Sequence, residues 1–319
     1  MSPRGASQTR ALTEGALFAA LTVLIYVLNF YTRLLTIVLP VPAAVMVVRH
    51  DLRTGATATL ASALGVTVLL GPVEGLIVLA SVGFIGLTLG SCIARRLSWV
   101  RTIGITAVAA AAMIIVDFLA GAAVVGMSPS RALAEMERIM VESWEQSLAL
   151  YSRLGMSEAG LKPIRDMLEW LPKMVRMLLP AVVIGGAVTL ASFSYAATRM
   201  VLVRTRREVD PIPPFMTWKL PWYWAWGFII GLLAAQAGAY FSSEVLTAIG
   251  LNFTSLFQII FSVQGLAVLW FVLDRYGIPK GAKFVIVAMI VMSSALLTIL
   301  PLVGLLDGWF DFRKRLAAR

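Results

Sequence analysis

Nine runs of mostly apolar residues constrain this chain more than anything else in it. They lie at 11–30, 34–48, 54–71, 74–94, 102–126, 175–198, 222–241, 249–273 and 283–306. A helix rising 1.5 Å per residue needs roughly 20 such residues to cross a bilayer. None of the runs alternates with the period of two expected of a barrel strand. The sequence therefore predicts an all-α integral membrane protein, a polytopic bundle of about nine transmembrane helices. The run 34–48 is short and broken by Pro40 and Pro42, which predicts a tilted or partly unwound segment. Composition agrees: 59% of residues are hydrophobic and 14% charged, against about 25% charged in soluble domains.

The formal charge of +10 would suggest a polyanionic partner in a soluble chain. Here the bases follow the membrane, and no nucleic-acid partner is expected. With the N-terminus cytoplasmic, inner segments carry 15 of the 27 basic residues and five acids, and outer segments carry eight bases and nine acids. That is the positive-inside pattern, and it predicts a multi-pass protein of the bacterial cytoplasmic membrane. Nine spans conflict with the rule at one place, since they put Arg313, Lys314, Arg315 and Arg319 outside. The first run is longer than the 7–15 apolar residues of a signal peptide, so it reads as an uncleaved span.

Residues 127–173 form the longest polar stretch. Ser128-Pro129 suits a helix start. Leu133, Met136, Met140, Trp144, Leu148, Tyr151 and Leu154 then recur at helical spacing up to Gly155, a suitable C-terminal cap. A second helix carries Leu161, Ile164, Met167, Leu168 and Leu171 before Pro172. This predicts an external amphipathic hairpin, either a lid over an outward-facing pocket or a connector lying on the membrane surface. Three regions follow: a six-span core at 1–198 that includes the hairpin, a basic and Pro-rich cytoplasmic linker at 199–221, and a three-span region with a basic tail at 222–319.

Charged side chains in hydrocarbon cost at least ~2.5–3.5 kcal/mol each, so each one invites a functional reading. Asp117 is the clearest, as a cation, proton or ammonium site; it could equally be a neutral acid bonded to a neighbouring helix. Asn252, Ser255, Gln258, Ser262 and Gly265 share one arc of roughly 140° on a helix, which suits a binding cavity or interhelical hydrogen bonds. Gln236 stands alone, and Glu74 reads as a solvated loop residue. Ala16 and Ala20, Gly86 and Gly90, and Gly227 and Gly231 are four apart, the spacing that lets helices approach closely, and they are candidate partner-docking faces. Trp222, Tyr223, Trp224 and Trp226 read as an interfacial belt.

Several chemistries are excluded. One Cys (Cys92) forbids an internal disulfide, and one His (His50) forbids His-rich zinc sites. There is no GxxxxGK[ST] loop, G-x-S-x-G, HExxH or dense carboxylate cluster. No enzyme activity, metal or cofactor is expected, and an ATPase would have to lie on another chain.

Three segments carry a resemblance: Thr13-Glu14-Gly15-Ala16-Leu17-Phe18-Ala19-Ala20-Leu21, Pro214-Phe215-Met216-Thr217-Trp218-Lys219-Leu220-Pro221, and Gly304-Leu305-Leu306-Asp307-Gly308-Trp309-Phe310-Asp311-Phe312-Arg313-Lys314. Together they resemble the YybS-like family of bacterial multispanning membrane proteins. The first six spans also distantly resemble the substrate-binding component of energy-coupling-factor (ECF) transporters, whose first helix docks a coupling subunit through a small-xxx-small motif. Ala16 and Ala20 stand where that motif would be. The resemblance implies a small-molecule or lipid binding or transport component that draws energy from an ATPase and coupling subunit. The alternative is a membrane scaffold or regulatory partner in envelope assembly or signalling, contacting another membrane protein. In both readings the lipid bilayer is the solvent.

Overall fold

The computed structural model describes residues 3–317, and every described element is helical or a turn. The α-helices are α1 (Pro3–Thr32), α2 (Val41–Arg49), α3 (Leu52–Leu70), α4 (Pro72–Ile77), α5 (Phe84–Ala94), α6 (Trp99–Val124), α7 (Pro129–Arg153), α8 (Glu158–Arg204), α9 (Trp224–Tyr240), α10 (Glu244–Arg275), α11 (Lys280–Met292), α12 (Ser294–Phe310) and α13 (Phe312–Ala317). A π-helical turn, Val78–Gly83, joins α4 to α5. Arg319 lies outside the described residues, as do the side chains of Arg4 and Arg10.

Six helical stretches among the described residues are long and apolar enough to cross a membrane: Ala11–Thr32, Leu52–Leu70, Pro72–Ala94, Trp99–Val124, Trp170–Arg204 and Glu244–Arg275. The expected count of about nine is corrected to six, or seven if α11 and α12 together make one span. Three runs fall short for different reasons. Within 34–48, residues 33–40 form turns and only the nine residues of α2 are helical, about 13 Å of helix against a hydrocarbon core of about 30 Å. In 222–241 a turn at Trp222 and Tyr223 delays the start, leaving the 17 residues of α9. The run 283–306 breaks at Ser293, whose hydroxyl caps α12 by accepting the Leu296 N–H, and the chain bends there by 108°.

The chain forms two compact units, Met1–Arg138 with Gly186–Pro211, and Ile139–Gly185 with Ile212–Arg319. In the first, α2 is almost wholly buried and packs on α3 and α5. Asp51 caps α3 by accepting the Thr54 N–H at 2.7 Å, a bond that holds its carboxyl below the usual range. Tyr26, Leu39, Ala63, Val66, Val78 and Val82 form one core cluster. Leu17, Leu24, Leu64, Val68 and Val108 are exposed, a distribution that hydrocarbon solvent tolerates and water does not. Contacts gather the basic segments at one end of this unit. Arg49 Nη2 donates to Glu14 at 3.0 Å, Arg96 pairs with Glu208 at 3.4 Å, and Arg207 Nη2 donates to the Arg49 carbonyl at 3.4 Å.

In the second unit, α9 and α10 interlock through small residues. A Cβ on Gly238 would lie 2.3 Å from the Thr247 nitrogen, and one on Gly250 2.1 Å from that of Ala235. α12 crosses α10 just as closely: Cβ atoms on Gly265 and Gly304 would meet the carbonyls of Leu300 and Phe261 at 2.1 and 2.0 Å. The hairpin helices pack through Leu148, Leu161 and Leu168, with Ile164 and Leu171 beside them, while Met167 is exposed. Gly155 caps α7 with φ +90°, as expected. The second hairpin helix does not stop at Pro172; α8 runs on through Pro163, Pro172 and Pro180 for 47 residues.

The same unit places the C-terminal motif against the linker. Asp307, fully buried, accepts Arg313 Nη2 at 2.8 Å and Gln264 Nε2 at 3.2 Å. Arg313 also donates to the carbonyls of Met216 and Trp218, each at 2.6 Å. Gln264 Oε1 accepts the Leu220 N–H at 3.1 Å. Lys219 donates to Asp311 at 2.7 Å and holds that carboxyl below its ordinary range. At the same end of α10, Phe215 meets Trp270 edge-on, Trp270 meets Phe284, and Lys283 bonds Asp274. Helix α11 therefore starts, and α12 finishes, at the end of α10 where the linker sits. The basic tail shares that end with Pro214–Pro221 rather than lying across the bilayer from it.

Candidate functional site

The first unit brings a set of polar side chains together inside helices that lipid would surround. Gly71, at φ +103°, turns the chain after α3 and lets Pro72 start α4. Glu74 then falls in the first turn of α4, where the helix dipole favours a negative charge. Its Oε2 accepts the hydroxyl of Tyr26 on α1 at 2.6 Å, and Tyr26 is buried. One turn later the helix widens into the π-helical segment Val78–Gly83. Such segments recur at functional sites because the extra residue re-aims side chains. Close packing on α3 fits this geometry: a Cβ on Gly75 would stand 1.9 Å from Thr67 Oγ1, and one on Gly83 2.5 Å from Thr59 Cγ2.

From this segment Ser81, itself buried, donates to both carboxylate oxygens of Asp117 on α6 at 2.5 Å. A hydroxyl shared by two carboxylate oxygens is a charge-assisted contact. Glu74, Asp117 and Arg33 all lie close enough to Tyr26 to act on it electrostatically. Asn29, one turn beyond Tyr26, accepts the Leu35 N–H at 2.8 Å and the Thr36 hydroxyl at 3.2 Å, tying down the turns that follow α1. Two carboxylates from different helices, each held by a hydroxyl, can bind a proton or an ammonium group. No group of three or more His, Cys, Asp or Glu that could hold a metal occurs among the described residues.

The remaining sequence candidates lie elsewhere. Asn252, Ser255, Gln258 and Ser262 belong to the second unit and Asp117 to the first. Asn252 ties α10 to α8 beside Pro180: its Oδ1 accepts the Ala181 N–H at 2.7 Å and its Nδ2 donates to the Met177 carbonyl at 2.5 Å. Ser262 bonds back to the Gln258 carbonyl of its own helix, Gln258 is exposed and Ser255 half-buried. Gln236 is exposed on α9.

Gly86 and Gly90 face α2, where Cβ atoms would meet the carbonyls of Pro40 and Ala44 at 2.6 and 2.7 Å. Gly227 and Gly231 face Phe257 and Thr254 of α10. The chain's own helices cover both pairs. Ala16 and Ala20 are exposed on α1.

Glu74 is the residue that sequence reasoning misplaced. It is a buried tyrosine's partner, not a solvated loop residue. The available signal was its position two residues after Pro72, the first residue of a helix, with Tyr26 on an apolar run. Tyr26 and Ser81 had no signal of their own, because hydroxyls are common in membrane helices. Gln264 was also missed, since it lies outside the polar arc, although it joins Leu220 of the linker to Asp307.

The family model described as "Predicted membrane protein (DUF2232)" matches residues 16–308. The protein named "Uncharacterized protein YybS" of Bacillus subtilis (strain 168) is 24% identical over 316 residues, covering 97% of this chain and 99% of that protein. Neither description names an energy-coupling-factor component. No solved structure matches. The chain, a bundle of apolar helices matched across nearly its whole length, belongs to the DUF2232 family of predicted membrane proteins.

Proposed function

We propose that this is a non-enzymatic, multi-pass protein of the bacterial cytoplasmic membrane, N-terminus cytoplasmic, whose first unit binds a small amine-bearing solute at Glu74 and Asp117. The carrying observation is the pair of hydroxyl-held carboxylates, Tyr26–Glu74 and Ser81–Asp117, within membrane-length helices. Carboxylates in hydrocarbon require a neutralising partner, and the ammonium of the solute would supply it. Energy for movement of the solute would come from a separate ATPase with its coupling subunit or from an ion gradient. The bias of basic residues toward one end supports the orientation.

The test is thermal stabilisation of the purified full chain by a panel of small primary amines, from methylammonium upward. Wild type is expected to be stabilised at millimolar amine, and Asp117→Asn to lose at least about tenfold in apparent affinity, or ~1.4 kcal/mol. Equal stabilisation of both proteins, or of neither, would sink the reading.

A second reading is supported by one observation. Ala16 is exposed and lines a groove with Ala11, Leu12, Gly15, Thr57 and Ala61, a space of about 520 Å³ between α1 and α3. Small residues at such a groove admit a close-packed helix, so a transmembrane helix of a coupling subunit or of a scaffold partner would dock there. Cross-linking from Ala16→Cys in native membranes separates the two: an ATPase-associated partner favours transport, an envelope or signalling protein the scaffold.

A further inference from the structure

The first unit has a second polar site, at the end where its basic loops gather. A cavity of about 230 Å³ lies between the end of α5, the flank of α8 and the segment that follows α8. Its floor includes Tyr195, whose side chain is 1% exposed and whose hydroxyl has no hydrogen-bond partner. Thr198, one turn further along α8, is also fully buried with an unsatisfied hydroxyl. A buried hydrogen-bonding group without a partner is costly, so the Tyr195 hydroxyl favours a polar neighbour.

The cavity mouth carries both signs of charge. Arg96 and Glu208 line it and pair with each other at 3.4 Å while remaining 84% and 88% exposed. Such an exposed pair is worth little, so an arriving ligand can take both partners at small cost. Asp210, two residues beyond Glu208, also lines the cavity, and no ion pair of its carboxylate is present among the described residues. Arg199 donates to the Asp210 carbonyl at 3.3 Å and lies close enough to Tyr195 to act on it. Ile93, Leu97 and Val209 supply an apolar wall. The Arg96 guanidinium in the lining, with Arg199 held beside Asp210, suits an oxyanion with several acceptors, two carboxylates suit an ammonium, and the phenol can bond either.

We infer that this cavity binds a zwitterion bearing a phosphate and a primary ammonium a few ångströms apart, the chemistry of phosphoethanolamine. The phosphate meets Arg96 and Arg199, the ammonium meets Asp210 and Glu208, and Tyr195 gains its missing partner. The cavity sits at the end of membrane-length helices, so the same group can arrive as a free metabolite or as the headgroup of phosphatidylethanolamine.

The experiment uses the purified full chain in two arms. In detergent, soluble phosphoethanolamine is titrated by calorimetry, with ethanolamine and inorganic phosphate as part-ligands. In nanodiscs of phosphatidylglycerol with or without phosphatidylethanolamine, lipid retention is read by native mass spectrometry. Saturable binding is expected in at least one arm, and the arm that responds names the source. Each part-ligand should bind at least tenfold more weakly than the zwitterion. Arg96→Gln and Asp210→Asn should each weaken binding at least tenfold, and Tyr195→Phe about threefold to tenfold, with ligand-free thermal stability unchanged. Tyr195→Phe removes only an unbonded hydroxyl, so misfolding does not confuse its result. No saturable binding in either arm, or equal binding by Arg96→Gln and Asp210→Asn, overturns the inference.

Discussion

Arg96, Arg206 and Ser242 occupy left-handed backbone positions just past the ends of α5, α8 and α9, with φ of 54°, 57° and 51°. The hydrogen bonds there are those of a glycine-terminated helix: Arg206 N–H to the Val203 carbonyl, and Arg207 N–H to that of Leu202. An L-residue pays about 1–2 kcal/mol for this conformation relative to glycine. Arg206→Gly is therefore expected to stabilise the protein by about 1 kcal/mol, read as a raised unfolding midpoint in detergent. Arg96 keeps its side chain for the cavity argued above, which gives its strain a use. Asn252 yields a second prediction. Asn252→Ala leaves the Ala181 N–H and Met177 carbonyl without its amide and should cost about 1–2 kcal/mol. The loss is read as a lowered unfolding midpoint in detergent, and an unchanged midpoint would refute it.

At the scale of elements, the last hundred residues are organised by one buried ion pair. Breaking such a pair from one side leaves an uncompensated buried charge and costs about 3–5 kcal/mol. Arg313→Ala should destabilise the protein by that amount and release the Pro214–Pro221 segment to proteolysis, whereas Arg313→Ala combined with Asp307→Leu should cost less. The Lys219–Asp311 bond beside it sets an acid dependence. The folded carboxyl of Asp311 titrates below its unfolded value of about 3.9, so its contribution is complete above that pH and lost as pH falls through the folded value. Asp311→Asn should flatten this part of the acid-unfolding curve and leave neutral stability lower. Both motifs involved, Pro214–Pro221 and Gly304–Lys314, were readable as family marks; that they bind each other was not, because about 95 residues separate Arg313 from its carbonyl partners.

At the scale of the whole molecule, topology follows from those contacts. Helices α11 and α12 enter and leave at the linker end of α10, and neither is long enough alone, at about 20 and 25 Å, to cross a core of about 30 Å. A re-entrant pair puts the basic tail on the same side as Pro214–Pro221. A C-terminal green fluorescent protein fusion should fluoresce, and a C-terminal alkaline phosphatase fusion should be inactive; the reverse would require α11 and α12 to form a full span. This also removes the one exception to the positive-inside pattern, which had come from treating 283–306 as a single crossing. Ser293-Ser294 in the middle of that run was the warning, since serine is a favoured helix N-cap.

Apolar periodicity and run length determined by themselves that this chain is a helical membrane protein and that residues 127–173 form an amphipathic hairpin; they marked nine apolar runs, of which the structure makes six long enough to span. Those properties follow from transfer of each side chain to hydrocarbon, a quantity that depends on local composition. Asp117 was also legible, because a carboxylate in an apolar run is costly wherever its neighbours are. Tertiary structure alone decided that Ser81 bonds Asp117 and Tyr26 bonds Glu74, that the Gly86/Gly90 and Gly227/Gly231 faces are filled from within, and that Asn252 ties α10 to α8 beside Pro180. Hydrogen bonds and close packing depend on which helices meet and in what register, and no single segment carries that information.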